Sequence, residues 1–301
     1  MSNSISISKA LSLQLGSLVQ AVITQYELGV LVYKLYRTKM LHDQPLRTSK
    51  EYPQRREFER CVGELLKRGI LSPVNEFPSH RVFHIIGKTA SAEEMACAID
   101  PFAYVSHLSA MDYHGLTDRM PRVLYLTSPT EAVWKEFAAI RMKRDYKQFY
   151  DEYRVSGFPK LRKLAMSKLE KRPVQCQGTG KHLGAYRNVR DRVLRVSTLG
   201  RTFLDMVRHP SLCGGMAHVL DVYDQFASSN LRLIVDEVNR NGTPIDKVRV
   251  GYILDERCRL ASSSLQEWEA NIQRGGSRKL VANAEYNTEY SEKWSLSINV
   301  D

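Results

Sequence analysis

Apolar and polar positions follow a helical period soon after the start of the chain. In the segment ITQYELGVLVYKLYR, Thr24 and Glu27 have the spacing of a capping box, in which each side chain bonds the other residue's backbone N–H. Apolar residues then recur every three or four positions. This pattern predicts a helix from Gln25 to Arg37.

A second helix is predicted from Pro53 to Arg68. Its apolar residues are spaced as in a helix that buries one stripe. They are Phe58, Val62, Leu65 and Leu66. Pro53 stands where a first helical residue often stands, and Gly69 stands where a helix often ends.

Two short runs with β-branched residues follow, GILSPVNEF and HRVFHIIG, and turn-forming residues such as Pro78 and Ser79 separate them. They predict a β-hairpin. Helices followed by a hairpin are the order of a winged helix-turn-helix, in which the last helix before the hairpin is presented to DNA. We therefore predict a DNA-binding domain over residues 1–90 and a second domain over residues 91–301.

The second domain mixes helices and strands. A helix ending at Gly115 is expected in AYVSHLSAMDYHGL, a buried strand in RVLYLTSP, and a strand followed by a helix that Pro210 stops in VSTLGRTFLDMVRHP. GMAHVLDVYDQFA, NLRLIVDEVNRNG and PIDKVRVGYILDERC predict three successive helices, and SLQEWEANIQR and WSLSINV predict a further helix and a terminal strand. The predicted fold class is α+β: a winged helix-turn-helix, then a larger mixed α/β domain that ends in a helical region.

Composition adds an expectation about partners. The formal net charge is +11 and the pI is about 9.4, which favours a polyanionic partner: nucleic acid first, an anionic membrane surface second. No run approaches the roughly 18 apolar residues that span a bilayer, and the N-terminus does not resemble a signal peptide, so we expect a cytoplasmic protein. Five cysteines lie far apart without a C-x-x-C pair, which indicates reduced thiols rather than a zinc ribbon or a disulfide framework.

The positive charge is concentrated in two segments. Residues 1–90 contain 13 Lys and Arg against 7 Asp and Glu, and residues 135–201 contain 18 against 6. The later segment interleaves its charges with Tyr146, Phe149, Tyr150, Tyr153 and Tyr186. Such aromatics could stack on single-stranded bases, or they could belong to the core while the charges line a phosphate-facing or merely solvated surface.

In the predicted helix from Pro53 to Arg68, a second stripe is basic. Its members are Arg56, Arg60, Gly63 and Lys67, with Arg55 beside them. Glutamates are interspersed, so the helix alone favours a solvated face. The hairpin that follows favours DNA contact instead, since arginine suits guanine edges and both basic residues suit phosphates. The interior glycine costs about 1 kcal/mol relative to alanine, which a close neighbour could explain.

No catalytic or metal signature is complete. QGTGKHLG lacks the first glycine of a phosphate-binding loop and has His182 where the serine or threonine should stand. His107 and His114 are two full helical turns apart and Asp112 lies on another face, so we expect structural roles for them. Arg201 and Asp205 are four residues apart and predict an ion pair within a helix. We expect no enzyme, no cofactor and no metal.

Several motifs coincide along the chain: AYVSHLSAMDYHGLTDRMPRVLYLTSP, VSTLGRTFLDMVRHPSLCGGMAHVLDVY, KVRVGYILDER and KWSLSIN. In their order and spacing they resemble the AbiEi family of antitoxins, which share a serine-alanine helix ending in HGLT, an RTFLDMV helix followed by Pro210 and Gly214-Gly215, and a closing tryptophan strand. With the N-terminal segment, the resemblance covers nearly the whole chain. Relative to shorter members, residues 38–52 form an insertion.

The resemblance implies an antitoxin of a two-gene type IV toxin-antitoxin operon that acts in abortive infection, a bacterial defence against phage. It implies that an N-terminal winged helix represses the operon by binding inverted repeats in its own promoter, and that the second domain antagonises a nucleotidyltransferase toxin, with or without direct contact. We expect a monomer in solution, with more than one copy on the duplex. An RNA-binding accessory protein that uses residues 135–201 is the alternative.

On this hypothesis the residues that contact DNA are Lys50, Gln54, Arg55, Arg56, Arg60, Lys67, Ser79, His80 and Arg81. The last three form the tip of the hairpin. A second basic set is expected to form a phosphate-facing or toxin-facing surface. It comprises Arg141, Lys143, Arg144, Lys147, Arg162, Lys163, Lys181, Arg187 and Arg190.

Overall fold

A computed structural model of the chain describes residues 4–77, 81–180, 185–272 and 278–300. Helices take up 49% and strands 16% of the residues, arranged in several sheets, so the predicted mixed α+β class is confirmed. The first of two compact units comprises Met1–Tyr104, Thr127–His182 and Asn188–Arg195. The second comprises Val105–Leu126, Leu183–Arg187 and Val196–Asp301.

Over residues 4–77 and 81–85, the N-terminal segment contains three helices and five short strands. They are α1 (Ile7–Ser17), β1 (Val22–Thr24), α2 (Gln25–Thr38), β2 (Met40–Leu41), β3 (Gln44–Pro45), α3 (Arg55–Lys67), β4 (Leu71–Pro73) and β5 (Val82–Ile85). Strands β1, β5 and β4 form an antiparallel sheet in that order, with Ile23 opposite Phe83 and Leu71 opposite Ile85. The two predicted helices and the hairpin are confirmed.

Three details of this segment were not predicted. Helix α3 begins at Arg55, two residues after Pro53, because the backbone N–H of Gln54 donates to the Glu57 carboxylate at 2.9 Å and caps the helix there. Strand β1 has only three residues, too few for a period to show in the sequence. Residues 40–45 form a small hairpin of β2 and β3 in the segment before α3.

The remaining elements are helices and strands in mixed order. They are α4 (Ala92–Ile99), β6 (Tyr104–Val105), α5 (His107–Tyr113), β7 (Leu124–Pro129), α6 (Glu131–Tyr146), α7 (Tyr150–Val155), β8 (Lys168–Leu169), β9 (Arg172–Thr179), β10 (Tyr186–Asn188), β11 (Arg195–Ser197), α8 (Leu199–Arg208), α9 (Met216–Asn241), α10 (Pro244–Tyr252), α11 (Ser263–Ala270), β12 (Arg278–Lys279), β13 (Tyr290–Ser291) and β14 (Leu296–Ser297).

The core of the first unit joins the N-terminal helices to residues far along the chain. Tyr33 of α2 packs edge to face against Tyr146 and Phe158, with ring centroids 5.3 and 5.1 Å apart. Trp134 and Ala138 of α6 belong to the same buried cluster. The first compact unit therefore extends beyond the predicted boundary at residue 90, because residues 134–161 help to bury the N-terminal helices.

The second unit is built around helices α8 and α9. Gly200 of α8 approaches the backbone of Leu233 so closely that a Cβ at this position would overlap its carbonyl oxygen. Helix α9 is one continuous helix of 26 residues where two were predicted, since FASSNL between them contains neither glycine nor proline. The strand in RVLYLTSP, helix α11 and the terminal strand are confirmed, and α5 is shorter than predicted, beginning at His107.

Two further findings concern the cysteines and the possibility of a membrane-spanning helix. All five cysteines are free: Cys61, Cys97 and Cys213 are buried, Cys258 is half-buried and Cys176 is exposed. Across the described ranges, no helix combines the length and the apolar character needed to cross a bilayer.

Candidate nucleic-acid interface

Helix α3 buries one face and exposes a basic one. Phe58, Cys61 and Leu65 are buried in the core of the first unit. At 100° per residue, Arg56 and Lys67 lie opposite this buried face. Both side chains belong to exposed residues, and neither forms a hydrogen bond or an ion pair with another described residue. The predicted basic stripe is therefore on the solvent side of the helix.

Two other arginines of α3 have partners. The Arg55 Nε lies 2.6 Å from Glu59 Oε1, but both side chains are more than half exposed, so this pair adds little stability. The Arg60 guanidinium donates to the Tyr36 hydroxyl at 2.8 Å. Three residues after Arg60, Gly63 faces open space, since an added Cβ would meet nothing within 4 Å. No intramolecular contact of this structure explains the glycine.

A basic depression lies along one side of α3. It has a volume of about 550 Å³, and Arg47, Lys50 and Arg60 contribute its positive charges. The Lys50 Nζ lies 2.6 Å from Glu57 Oε1. Although burial raises it, the pKa of the Glu57 carboxyl is held below its usual value by the hydrogen bonds from Lys50 and the Gln54 N–H. Arg47 and Lys50 thus add cations beside α3.

A basic groove lies along the other side of the same helix. Its volume is about 540 Å³, and its cations are Arg55, Arg81, Arg154, Lys160 and Arg162. Among the described residues that line it, Glu59 carries the one carboxylate. The groove brings together Arg55, Arg81 and Arg162, which were predicted as site residues and are far apart in the sequence. Arg154 and Lys160 were missed, because only the overall charge of residues 135–201 pointed to them.

The wall of this groove holds the start of α3 in place. The backbone N–H of Arg55 donates to the Ser156 carbonyl at 3.1 Å. Gly157 has a φ of +76°, and a Cβ there would lie 3.3 Å from Arg55 Cβ. Phe58 and Phe158 pack with ring centroids 5.6 Å apart. These contacts connect residues 156–158 to the N-terminal turn of α3.

The rest of the second basic set is dispersed. Arg141 is only 22% exposed in its side chain and forms ion pairs with Glu27 and Asp145 at 3.2 and 3.3 Å. Lys163 Nζ donates to the Pro129 carbonyl at 2.6 Å. Exposed members are Lys143, Arg144, Lys147, Arg187 and Arg190, of which Arg144 contacts Asp145 and Arg190 contacts Asp191. Ser79, His80 and Lys181 fall outside the described residues.

The aromatic residues of the middle segment belong largely to the core. Tyr146 and Tyr153 are each 1% exposed, and their rings stack with centroids 3.6 Å apart. Phe149 and Tyr150 are half-buried and pack against the same cluster. Of the two roles considered for these side chains, packing in the core is the one that the structure supports.

A buried polar cluster lies in the second unit and includes the predicted ion pair of Arg201 and Asp205. The Arg201 Nε lies 2.7 Å from Asp205 Oδ1, and both residues are buried. Nearby, His107 is 2% exposed with a φ of +51°, and its Nδ1 lies 2.8 Å from Ser106 Oγ. Burial lowers the pKa of His107 to about 4. Its ring centroid is 5.5 Å from that of His209.

The other residues weighed as metal ligands are apart from this cluster. His114 Nε2 lies 2.8 Å from the Ser197 carbonyl, and Asp112 is exposed. In the portions of the chain that the structure describes, no group of three His, Cys, Asp or Glu side chains is placed to hold a metal ion. The histidines pack and form hydrogen bonds within the second unit.

Comparison with known proteins identifies no family. No protein-family model matches the chain, and no curated protein does. Among solved structures, the chain is similar to the RV2827C protein from Mycobacterium tuberculosis, with 13% sequence identity and a TM-score of 0.48 over 96% of this chain and 90% of that chain.

Proposed function

We propose that the protein binds its own promoter DNA as a transcriptional repressor and is the antitoxin of a type IV toxin-antitoxin system in the cytoplasm. DNA binding is supported most directly by Arg56 and Lys67 on α3, which are exposed and have no partner among the described residues. Helix α3 lies between the basic depression and the basic groove. Residues 7–85 form, in order, a helix, a strand, a helix, the small hairpin of β2 and β3, a helix and two strands. Apart from that small hairpin, this is the order of a winged helix-turn-helix, which supports the proposal.

The placement of charge around α3 suits a duplex. A B-DNA major groove is about 12 Å wide and admits one helix, with a row of phosphates along each edge. On the helical wheel, Arg55 and Glu57 fall on opposite flanks of the stripe that contains Arg56. The basic groove begins at Arg55, and the basic depression begins at Glu57. With α3 in the major groove, each of the two would face one phosphate row.

The test uses DNA from upstream of the gene. Fluorescence anisotropy at fixed salt would compare the wild type with a double variant, Arg56→Glu and Lys67→Glu, whose native side chains have no partner in the described structure. We expect the affinity for promoter duplex to fall at least tenfold. Arg232→Glu, on an exposed arginine of α9, is the matched control and should bind as the wild type does. Wild-type affinity in the double variant would refute the α3 interface.

The antitoxin half of the proposal is supported by the family resemblance. It requires a nucleotidyltransferase gene next to this one, and it predicts that co-expression restores the growth of cells in which that enzyme is toxic. The double α3 variant should still restore growth, because the resemblance assigns antagonism to the second domain. Continued toxicity in the presence of folded wild-type protein would rule out this half while leaving the DNA-binding half standing.

The alternative is an RNA-binding accessory protein that uses residues 135–201. The exposed Lys143, Arg144 and Lys147 near the end of α6 favour it. The burial of Tyr146 and Tyr153 counts against it, since base stacking supplies much of the affinity for single strands. Competition between promoter duplex, unrelated duplex and single-stranded RNA separates the two. Tighter binding of RNA that is unchanged in the α3 variant would favour the alternative.

A further inference from the structure

A cavity of about 320 Å³ lies in the second unit, where helix α8 ends and helix α9 begins. Its polar lining comes from four parts of the chain. They are Arg208 and His209 at the end of α8, Ser211 and Gly215 in the connecting turn, Arg249 in α10 and Asn283 after β12. Of the described residues that line it, none carries a carboxylate. The lining therefore favours a negatively charged occupant.

The two arginines differ in how their charge is balanced. Arg208 pairs with the buried Asp246, with its Nη2 2.7 Å from Oδ2. Arg249 donates its Nε to the Lys279 carbonyl at 2.9 Å and forms no ion pair with any described residue. Burial lowers the pKa of Arg249, and the charge of Asp246, which already pairs with Arg208, opposes this effect. A half-buried guanidinium that shares its nearest carboxylate with another arginine is costly, and an anion in the cavity would offset that cost.

Gly215 of the connecting turn lines the same cavity. It has a φ of +94°, and a Cβ at this position would meet nothing within 4 Å. Helix α9 starts at Met216 without a side-chain cap. The first N–H groups of a helix have no intrahelical partner and carry partial positive charge, so an oxyanion binds there readily.

We propose that this cavity binds a phosphomonoester, with the phosphate between Arg249 and the start of α9. Several oxygens around one phosphorus can use a guanidinium and backbone N–H groups together, which a single carboxylate does less well. The volume is at the lower end of small-molecule sites, so the ligand is a small phosphorylated compound rather than a duplex. This site is independent of the proposed DNA interface, whose residues belong to the first unit.

Isothermal titration with inorganic phosphate, in the absence of DNA and at constant ionic strength, is the first test. We expect saturable binding with one site per chain. Arg249→Gln should weaken it about tenfold or more, as expected for a lost charge-assisted hydrogen bond. Asn283→Asp is nearly isosteric and exposed, adds a carboxylate to the lining, and should weaken binding similarly without affecting folding. Arg232→Gln, in the same unit, should leave binding unchanged.

Two results would overturn the proposal: no saturable binding of phosphate to the folded wild type, or wild-type affinity in both Arg249→Gln and Asn283→Asp. A 5′-phosphorylated and a 5′-hydroxyl oligonucleotide, compared as competitors, identify the source of the phosphate. Failure of both to displace inorganic phosphate would support a small-molecule ligand. The α3 variant should bind phosphate as the wild type does, so failure of the DNA proposal would leave this result intact.

Discussion

The Arg60 guanidinium donates a hydrogen bond to the Tyr36 hydroxyl at 2.8 Å and so joins helix α3 to helix α2. The Tyr36 side chain is almost fully buried, at 1% exposure, while Arg60 is exposed. A residue of the basic stripe therefore also links two helices. Loss of DNA binding in an Arg60 variant would not by itself identify Arg60 as a DNA contact.

A double-mutant cycle on this pair should give a coupling free energy of about 1 kcal/mol. Arg60→Ala and Tyr36→Phe each remove the hydrogen bond, whose net worth is about 0.5 to 1.5 kcal/mol. The free energy of unfolding, measured by urea denaturation, gives all four corners of the cycle. Strictly additive effects would mean that the pair does not stabilise the protein in solution, and Arg60 would then be available to DNA alone.

Neutralising Arg56 and Lys67 together should reduce the salt dependence of promoter binding. Each phosphate contact that is lost lowers the slope of log K against log salt by about 0.9, so Arg56→Gln with Lys67→Gln should lower it by up to about 2. Anisotropy titrations from low to physiological salt measure the slope. The same slope in variant and wild type would mean that neither cation contacts a phosphate.

Gly63→Ala should stabilise the protein by about 1 kcal/mol, since alanine is the better helix former and the new methyl group meets nothing within 4 Å. If α3 lies against a duplex, the same methyl group should weaken promoter binding. Urea denaturation and anisotropy on one preparation measure both effects. A more stable protein with unchanged DNA affinity would show that Gly63 is not near the duplex.

Acid should destabilise the second unit through His107. Its folded-state pKa of about 4 is below the unfolded value of about 6.5, so the unfolded chain takes up a proton that the folded protein refuses. This stabilisation is complete above pH 6.5 and is lost as the pH falls toward 4. It amounts to about 3 kcal/mol over that range.

The test compares the wild type with His107→Asn, because asparagine tolerates the positive φ of this position. His209, Asp205 and Arg201 also affect the His107 site and remain in the variant. In the variant, the free energy of unfolding should therefore fall less steeply between pH 6.5 and 4 than in the wild type. The difference in slope should correspond to the uptake of close to one proton on unfolding. Parallel pH profiles would contradict the assignment to His107.

Gly251→Ala should destabilise the protein by about 3 kcal/mol. A Cβ at Gly251 would overlap the ring of Trp294, which is fully buried and donates its indole N–H to Asp255 at 2.9 Å. Thermal unfolding measures the loss, and Gly63→Ala provides the same substitution in open space as a control. A small effect would mean that the tryptophan can move without cost.

Local patterns determined much of this fold. Capping and apolar period were sufficient for α2 and for the presence of α3, and the turn residues were sufficient for the hairpin of β4 and β5. Helix α9 was divided in error because a polar stretch without glycine or proline can either end a helix or continue it. The start of α3 also depends on the contact between Gln54 and Glu57. The spacing of residues alone does not distinguish this start from one at Pro53.

The class of the fold, the basic stripe on α3 and the surplus of positive charge in residues 135–201 can all be predicted from the sequence. How that charge is distributed depends on the tertiary structure. It placed Arg154, Lys160 and Arg162 beside Arg55, buried Arg141 in ion pairs, and enclosed Tyr146 and Tyr153 in the core. The physical reason is that a helical period reports which face of one element is buried. Whether a surface charge faces water, a carboxylate or another cation depends on elements distant in the chain.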